Sequence, residues 1–163
     1  MSDGQEAICF FHPQQAELAS AMEEFYREVD RAVAEYAPVC RNRGLCCRFD
    51  AYGHRLYVTT AEVAFFVRGM SDHWRTLTTG RSCPFQVEGQ CVARAYRPLG
   101  CRIFFCDPAT TDWQSHEYER HLRLLKQVMD KLDIDYRYME WLSALALVDK
   151  ALGGKKSPKA ESD

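Results

Sequence analysis

Seven of the eight cysteines of this chain lie between residues 40 and 106, and this concentration constrains the fold more than any other feature. One or two cysteines are often no more than small buried hydrophobic residues, but seven in one region are improbable in that role. Thiolates are soft ligands that select zinc, copper(I) or iron–sulfur clusters over magnesium and calcium. The sequence therefore predicts a metal–thiolate site formed by Cys40, Cys46, Cys47, Cys83, Cys91, Cys101 and Cys106.

The number of these cysteines leaves the arrangement of the site open. Four thiolates close a tetrahedral zinc site or hold one iron–sulfur cluster, so seven exceed one site of either kind. The adjacent Cys46 and Cys47 point in different directions if the backbone is extended, so one of them serves a second metal or remains a spare thiol. The spacing does not identify which four ligate, or whether there are one or two sites. The eighth cysteine, Cys9, lies outside the pattern and is interpreted as a free thiol.

The formal net charge of −2 conceals a strongly uneven distribution. Residues 40–106 carry ten arginines, no lysine and four acidic residues, a formal charge of +6, while both flanking segments are acidic. Four thiolates around a divalent ion or an oxidised cluster leave about two negative charges, which are costly to bury without compensation. We expect Arg48, Arg97 and Arg102 to compensate them, and backbone amides near Gly44, Gly89 and Gly100 to donate hydrogen bonds to the site.

Hydrophobic periodicity predicts a mainly α fold, with helices packed around the cysteine-rich region and at most a small antiparallel hairpin. Apolar residues from 18 to 36 recur at three- and four-residue steps, and Pro38 ends this helix. A second long helix begins near Asp112 and breaks at residues 133–135, and a third covers residues 136–152. Residues 1–152 are expected to form a single domain (1–39 helical, 40–106 metal-binding, 107–152 helical), and 153–163 a disordered tail.

Two short motifs predict local structure inside the cysteine region, residues 40–106. Thr59 and Glu62 match a capping box at the start of a short helix, which gives Glu62 a structural role. Two apolar runs on either side of Glu88 and Gly89 predict a marginal hairpin.

The N-terminal residues lack the basic and apolar segments of a signal peptide, and no apolar window reaches the ~18 residues of a membrane span. We expect a cytoplasmic protein, where clustered cysteines bind metals more often than they form disulfides. The expected partners are a metal ion or cluster and, as a further candidate, another protein. A membrane is not expected, because no apolar window is long enough to span it. A nucleic acid is not expected either, because the arginines are scattered among apolar residues and show no register on one helix face.

The order of the cysteine motifs resembles a known family. Cys40-x5-Cys46-Cys47, Cys83-Pro-Phe, Gly-x-Cys91, Arg97-Pro-x-x-Cys101-Arg and x3-Cys106 are similar to the motifs of the YkgJ-type cysteine-cluster proteins, described as zinc- or iron-chelating domains. That family also resembles part of the flagellin lysine methylases, which implies a link to protein methylation and to an iron–sulfur cluster. An iron–sulfur cluster is therefore the favoured cofactor and zinc the alternative. Arg94 and Phe105 depart from the pattern, in place of an expected aromatic residue and proline.

Three functional hypotheses follow. The leading one is a metal-binding protein with a structural, electron-transfer or metal-handling role. The second is an enzyme that modifies protein or small-molecule substrates, for which Glu62, Tyr96 and Asp107 are weak acid–base candidates. The third is a redox-switched interaction module, which needs accessible thiols of low pKa. The histidines show no ligand spacing and are expected on the surface, with Glu117 and His121 as a solvated pair; they are His12, His54, His73, His116 and His121.

Overall fold

The computed structural model describes residues 10, 15–40, 47–49, 53–77 and 82–153. Among these residues are five α-helices, in the order α1 (Gln15–Tyr36), α2 (Thr60–Met70), α3 (Leu99–Ile103), α4 (Thr111–Lys131) and α5 (Trp141–Ala151). Strand β1 (Tyr57–Thr59) pairs with β4 (Tyr138–Glu140), and β2 (Gln86–Val87) pairs with β3 (Gln90–Cys91), both in antiparallel fashion. The predicted mainly α fold is confirmed. The predictions for Cys9, His12, Gly44, Cys46 and most of the C-terminal tail lie outside the described residues.

Helix α2 lies between two hydrophobic cores. Nine of its eleven residues are buried, so it has no polar face of the kind a surface helix presents. One face, with Phe66 and Val67, joins β1 and α5, and the opposite face, with Ala64 and Phe65, joins α1, α3 and α4. Because both cores share this helix, the N-terminal and C-terminal helices are held on a common scaffold.

The capping box predicted at the start of α2 is confirmed. Thr59 accepts a hydrogen bond from the Glu62 backbone amide, and a Glu62 carboxylate oxygen accepts from the Thr59 amide at 2.6 Å and from its hydroxyl at 2.9 Å. The other carboxylate oxygen of Glu62 accepts from the Leu99 amide at 2.7 Å. One buried side chain thus caps α2 and also accepts from the first residue of α3.

The predicted hairpin forms at the expected turn. Glu88 and Gly89 both adopt positive φ, +50° and +79°, which matches the backbone of a two-residue turn between twisted strands. Gln86 pairs with Cys91, and Val87 pairs with Gln90. The hairpin places Cys91 beside the turn that begins at Cys83, because the Gln86 amide donates to the Cys83 carbonyl at 3.1 Å.

The start of the third predicted helix was wrong. Residues 138–140 form β4 and pair with β1, and α5 begins only at Trp141, with Glu140 as its N-terminal cap. The pairing competes successfully with helix formation because the Trp141 amide also donates to the Leu56 carbonyl, at 2.8 Å, which anchors the strand to a distant segment. In the part of the chain that the structure describes, each helix is too short or too polar to span a bilayer.

Candidate metal centre

All six of the described cysteines from the predicted set line one cavity of about 770 Å³. They come from widely separated parts of the chain, and the fold brings them to a common space. Cys46, the seventh, lies outside the described residues. The cysteines of the cavity wall are Cys40, Cys47, Cys83, Cys91, Cys101 and Cys106.

Backbone pairing holds three of these cysteines close in the fold. The Cys83 amide donates to the Cys47 carbonyl at 3.1 Å, and the neighbouring residues Arg48 and Ser82 form an isolated antiparallel bridge. The Val92 amide donates to the Phe85 carbonyl at 2.9 Å and extends the hairpin that carries Cys91. Segments that are distant in sequence are thus joined at the cavity by main-chain hydrogen bonds, which do not depend on the thiols themselves.

The remaining cysteines reach the cavity from helix ends and loops. Cys40 lies four residues beyond the end of α1, Cys101 lies within the short helix α3, and Cys106 follows that helix. Cys40 and Cys106 are exposed, whereas the other four are half-buried. The described thiols therefore divide into an outer pair and an inner group of four, Cys47, Cys83, Cys91 and Cys101.

The inner thiols are placed against an apolar wall that includes Phe66 and Phe85. Behind it, the indole nitrogen of the fully buried Trp141 lies 3.5 Å from the Cys83 sulfur and donates a hydrogen bond to it. A hydrogen bond to sulfur stabilises the thiolate relative to the thiol and tunes a bound metal.

Three arginines line the same cavity: Arg94, Arg97 and Arg102. Two of them were expected from their positions beside cysteines, whereas Arg94 was identified only as a departure from a family pattern. Arg48, the other arginine expected at the site, is exposed and does not belong to the cavity lining. Two of the three arginines predicted to compensate the thiolates thus line the cavity.

Arg102 forms the wall that faces α1. Its Nη1 donates to both carboxylate oxygens of Asp30, at 3.1 and 2.8 Å, and its other nitrogens donate to the carbonyls of Arg97 and Ala95, each at 2.8 Å. The guanidinium also lies 3.9 Å from the ring centroid of Tyr26. With its side chain only 5% exposed, Arg102 is a buried cross-link between α1 and the segment that precedes α3.

Tyr26 is a buried polar group beside this cross-link. Among the described residues its hydroxyl is the buried side-chain polar atom without a hydrogen-bond partner. Burial raises the pKa of Tyr26 well above its ordinary value, and the charge of Glu62 raises it further, while Arg102 acts in the opposite direction. The phenol therefore stays protonated at neutral pH.

No three His, Cys, Asp or Glu side chains within the described ranges are arranged so that they could hold a single metal ion as they stand. The cysteines thus surround a space rather than converge on a point.

The three acid–base candidates have different surroundings. Glu62 is buried in its capping role, and burial raises its pKa despite the opposing effect of the hydrogen bonds from Thr59 and Leu99. Tyr96 packs on Gly69 and on the Phe65 ring and is absent from the cavity lining. Asp107 lines the cavity, where its carboxylate accepts from the Ala109 amide at 2.9 Å.

The expectation that His121 is a solvated surface residue was wrong. His121 is completely buried, its Nδ1 lies 2.8 Å from the Glu117 carbonyl, and its ring meets Phe25 edge-on. It shares a helix face with Leu125 and Met129 at four-residue steps, and α1 covers that face. His73 and His116 are exposed as expected, and His54 is half-buried and stacked on Phe104.

Comparison with known proteins yields no match: no family model fits the chain, and neither the curated proteins nor the solved structures include a similar one.

Proposed function

We propose that this chain is a metal-binding protein that holds an iron–sulfur cluster, with zinc as the alternative, through the thiolates of its cysteine region. The observation that carries the proposal is the common cavity lined by all six described cysteines of the predicted set. These six cysteines are separated in sequence, and the fold brings all of them to one cavity wall. The chemistry of this donor set fits a soft metal, since thiolates bind zinc, copper(I) and iron–sulfur clusters.

The distribution of the cysteines over the cavity wall supports a cluster over a lone ion. A zinc site requires four donors at about 2.0 to 2.3 Å from one point. An iron–sulfur cluster contributes its own iron and sulfide atoms and accepts thiolates from a wider ring. Cysteines that are distributed over a cavity wall suit the second case. The half-buried group Cys47, Cys83, Cys91 and Cys101 supplies as many thiolates as one cluster takes.

The role that we propose for this centre is structural, electron-transferring or metal-handling, in a cytoplasmic setting that keeps thiols reduced. The resemblance of the cysteine motifs to the YkgJ-type family points to the same chemistry, and membership in that family is part of the proposal. When bound, an iron–sulfur cluster would supply a one-electron redox centre. The cysteines of the cavity would hold it, the Phe66 and Phe85 side chains of the wall would screen it from water, and the lining arginines would compensate its charge.

The experiment is anaerobic purification of the full chain, followed by measurement of iron, zinc, copper and acid-labile sulfide and by a visible absorption spectrum. An iron–sulfur protein is brown, whereas a zinc protein is colourless. Serine at Cys83, Cys91 or Cys101 should remove most of the metal. Cys9→Ser is the matched control, because Cys9 lies outside the predicted motifs, and it should retain the wild-type content. A wild-type protein with only trace iron, zinc and copper would overturn the proposal.

A further inference from the structure

Arg97 lies between Cys91 and Cys101 in the chain, and its side chain contacts the backbone on either side of it. Its Nε donates to the Arg94 carbonyl at 3.2 Å, in the turn that follows β3, and its Nη1 donates to the Cys101 carbonyl at 3.4 Å, within α3. The side chain is half-buried and lines the cavity. A guanidinium can serve two carbonyls at once because its donors form a rigid planar fork, which an ammonium group cannot reproduce.

The charge of Arg97 has no carboxylate partner within the described ranges, in contrast to that of Arg102, which Asp30 neutralises at 2.8 Å. Burial lowers the pKa of Arg97, and the nearby charges of Arg94 and Arg102 lower it further. Cys101 and Cys91 act in the opposite direction, so their sulfurs are the groups whose negative charge would balance this guanidinium. Arg97, for which no carboxylate partner is found in the described part of the chain, thus lines the same cavity as Cys91 and Cys101 and contacts the Cys101 backbone directly.

We propose that Arg97 is the positioning residue of the metal centre: it fixes the backbone between Cys91 and Cys101 through the carbonyls of Arg94 and Cys101, and it supplies positive charge that balances the thiolates of these two cysteines. This inference rests on the proposed function. A centre with four thiolates and a net charge of about −2 gains another negative charge when a cluster is reduced. A nearby fixed cation stabilises the reduced state more than the oxidised state. Arg97 should therefore raise the reduction potential, and it should strengthen the binding of zinc if zinc is the metal.

The test compares Arg97→Gln and Arg97→Lys with the wild-type protein in an anaerobic redox titration. We expect Arg97→Gln to favour the oxidised cluster about tenfold, which is a potential lower by about 59 mV for one electron. Arg97→Lys keeps the charge but loses the fork, and we expect a shift of only about two- to fivefold. The matched control is Arg68→Gln, which removes the same charge from an exposed position on α2 outside the cavity lining, and it should leave the potential unchanged.

If Arg97 had a purely structural role, its substitution would lower stability. The reduction potential would then not rise in the order Arg97→Gln, Arg97→Lys, wild type. An Arg97→Gln protein that retains the wild-type potential, or an Arg68→Gln protein that shifts as far, would overturn the inference. If Arg97→Gln does not fold, Arg97→Lys decides the question, and an unchanged potential together with unchanged metal affinity would overturn it.

If the wild-type protein carries zinc, competition with a chromophoric chelator replaces the redox titration. We then expect Arg97→Gln to bind zinc about 10- to 100-fold more weakly, the range typical of residues that support metal ligands. An affinity equal to that of the wild type would overturn the inference. The two proposals fail in different ways. A wild-type protein without metal refutes the proposed function. A metal-loaded wild-type protein whose reduction potential or zinc affinity is unchanged by substitution of Arg97 refutes only the role of this residue.

Discussion

The carboxylate of Glu62 accepts a hydrogen bond from the backbone amide of Leu99 at 2.7 Å, across 37 residues of sequence. The same side chain closes the capping box with Thr59. It therefore links the first turn of α2 to the first residue of the helix that carries Cys101. The position of that cysteine at the cavity depends on a buried carboxylate that does not itself line the cavity.

We predict that Glu62→Gln lowers the free energy of unfolding by about 1–3 kcal/mol, because the amide nitrogen cannot accept the hydrogen bonds that one carboxylate oxygen accepts. Burial raises the pKa of Glu62 in the folded chain above its ordinary value of 4.5. The unfolded chain thus ionises this group at lower pH, so the stabilisation is full below about 4.5 and declines as pH rises through the folded pKa.

The measurement is urea unfolding of wild type and Glu62→Gln at about pH 5 and pH 8. The difference between the two proteins should be larger at the lower pH, because only the wild type carries the titrating group. Glu119→Gln, at an exposed position on α4, is the control and should change stability by less than about 0.5 kcal/mol. An equal difference at both pH values would contradict the assignment.

Gly69 is required by the close approach of the Tyr96 ring to α2. A methyl group at this position would overlap the ring, although alanine is otherwise favoured over glycine within a helix by about 1 kcal/mol. Overpacking of this kind costs about 1–3 kcal/mol, so we predict a net loss of stability for Gly69→Ala.

Gly100→Ala is the comparison that isolates the steric effect. It is also a helical glycine, but the atom that its added methyl meets first is the end of the flexible Leu56 side chain. Thermal unfolding should show a clear fall in Tm for Gly69→Ala and a much smaller change for Gly100→Ala. Similar values for the two variants would mean that the Tyr96 ring moves aside freely.

The buried cross-link between Arg102 and Asp30 should be asymmetric. Arg102→Gln abolishes most of the hydrogen bonds to Asp30, Arg97 and Ala95, and we expect it to cost about 2–3 kcal/mol. Asp30→Asn retains an acceptor at a position that is 55% exposed, and we expect it to cost about 1 kcal/mol or less. Urea unfolding of both variants tests the order, and a larger loss for Asp30→Asn would show that the ion pair itself dominates.

Loading of the metal centre should change the fluorescence of Trp141, because its indole nitrogen donates to the sulfur of Cys83. A double variant with phenylalanine at Trp74 and Trp113 leaves Trp141 as the sole tryptophan of the chain. We expect its emission to differ between the metal-loaded and chelator-treated protein, and this difference to vanish when Cys83→Ser is added. If the Trp141 emission is the same in the metal-loaded and the chelator-treated protein, the metal does not bind at Cys83.

Removal of the metal should loosen the cysteine region before the flanking helices. The part of this region that follows α2, residues 82–106, forms short strands, turns and the five-residue helix α3, whereas α1 and α4 are long helices that bury continuous apolar faces against α2 and α3. Hydrogen exchange after chelation should show early loss of protection in residues 82–106 and later loss in α1 and α4. A uniform loss along the chain would refute this order.

Local signals in the sequence were sufficient for most of the secondary structure. The apolar period predicted α1 and α4, and the capping box and the Glu88–Gly89 turn predicted the start of α2 and the hairpin, because these features depend on residues a few positions apart. The pairing of β1 with β4 could not be predicted in this way. Its partners lie about 80 residues apart, and residues 138–140 are not distinguishable from a helix by period alone.

His121 shows the same division between local pattern and packing. Its four-residue steps to Leu125 and Met129 indicate the buried face, yet a histidine on that face is compatible with exposure until α1 is known to cover it. Arg94 is a similar case, because its place on the cavity wall follows from the turn after β3.

The sequence by itself determined which donor groups are available, since it concentrates seven cysteines and ten arginines between residues 40 and 106, and the predicted thiolate site rests on that concentration. The tertiary structure alone decided which groups share a space. It placed six of the cysteines around one cavity, paired Arg102 with Asp30, and left Arg97 beside Cys91 and Cys101 without a described carboxylate partner. The physical reason is that residue type determines what a side chain can bind, whereas distance and burial, which depend on long-range packing, determine what it meets.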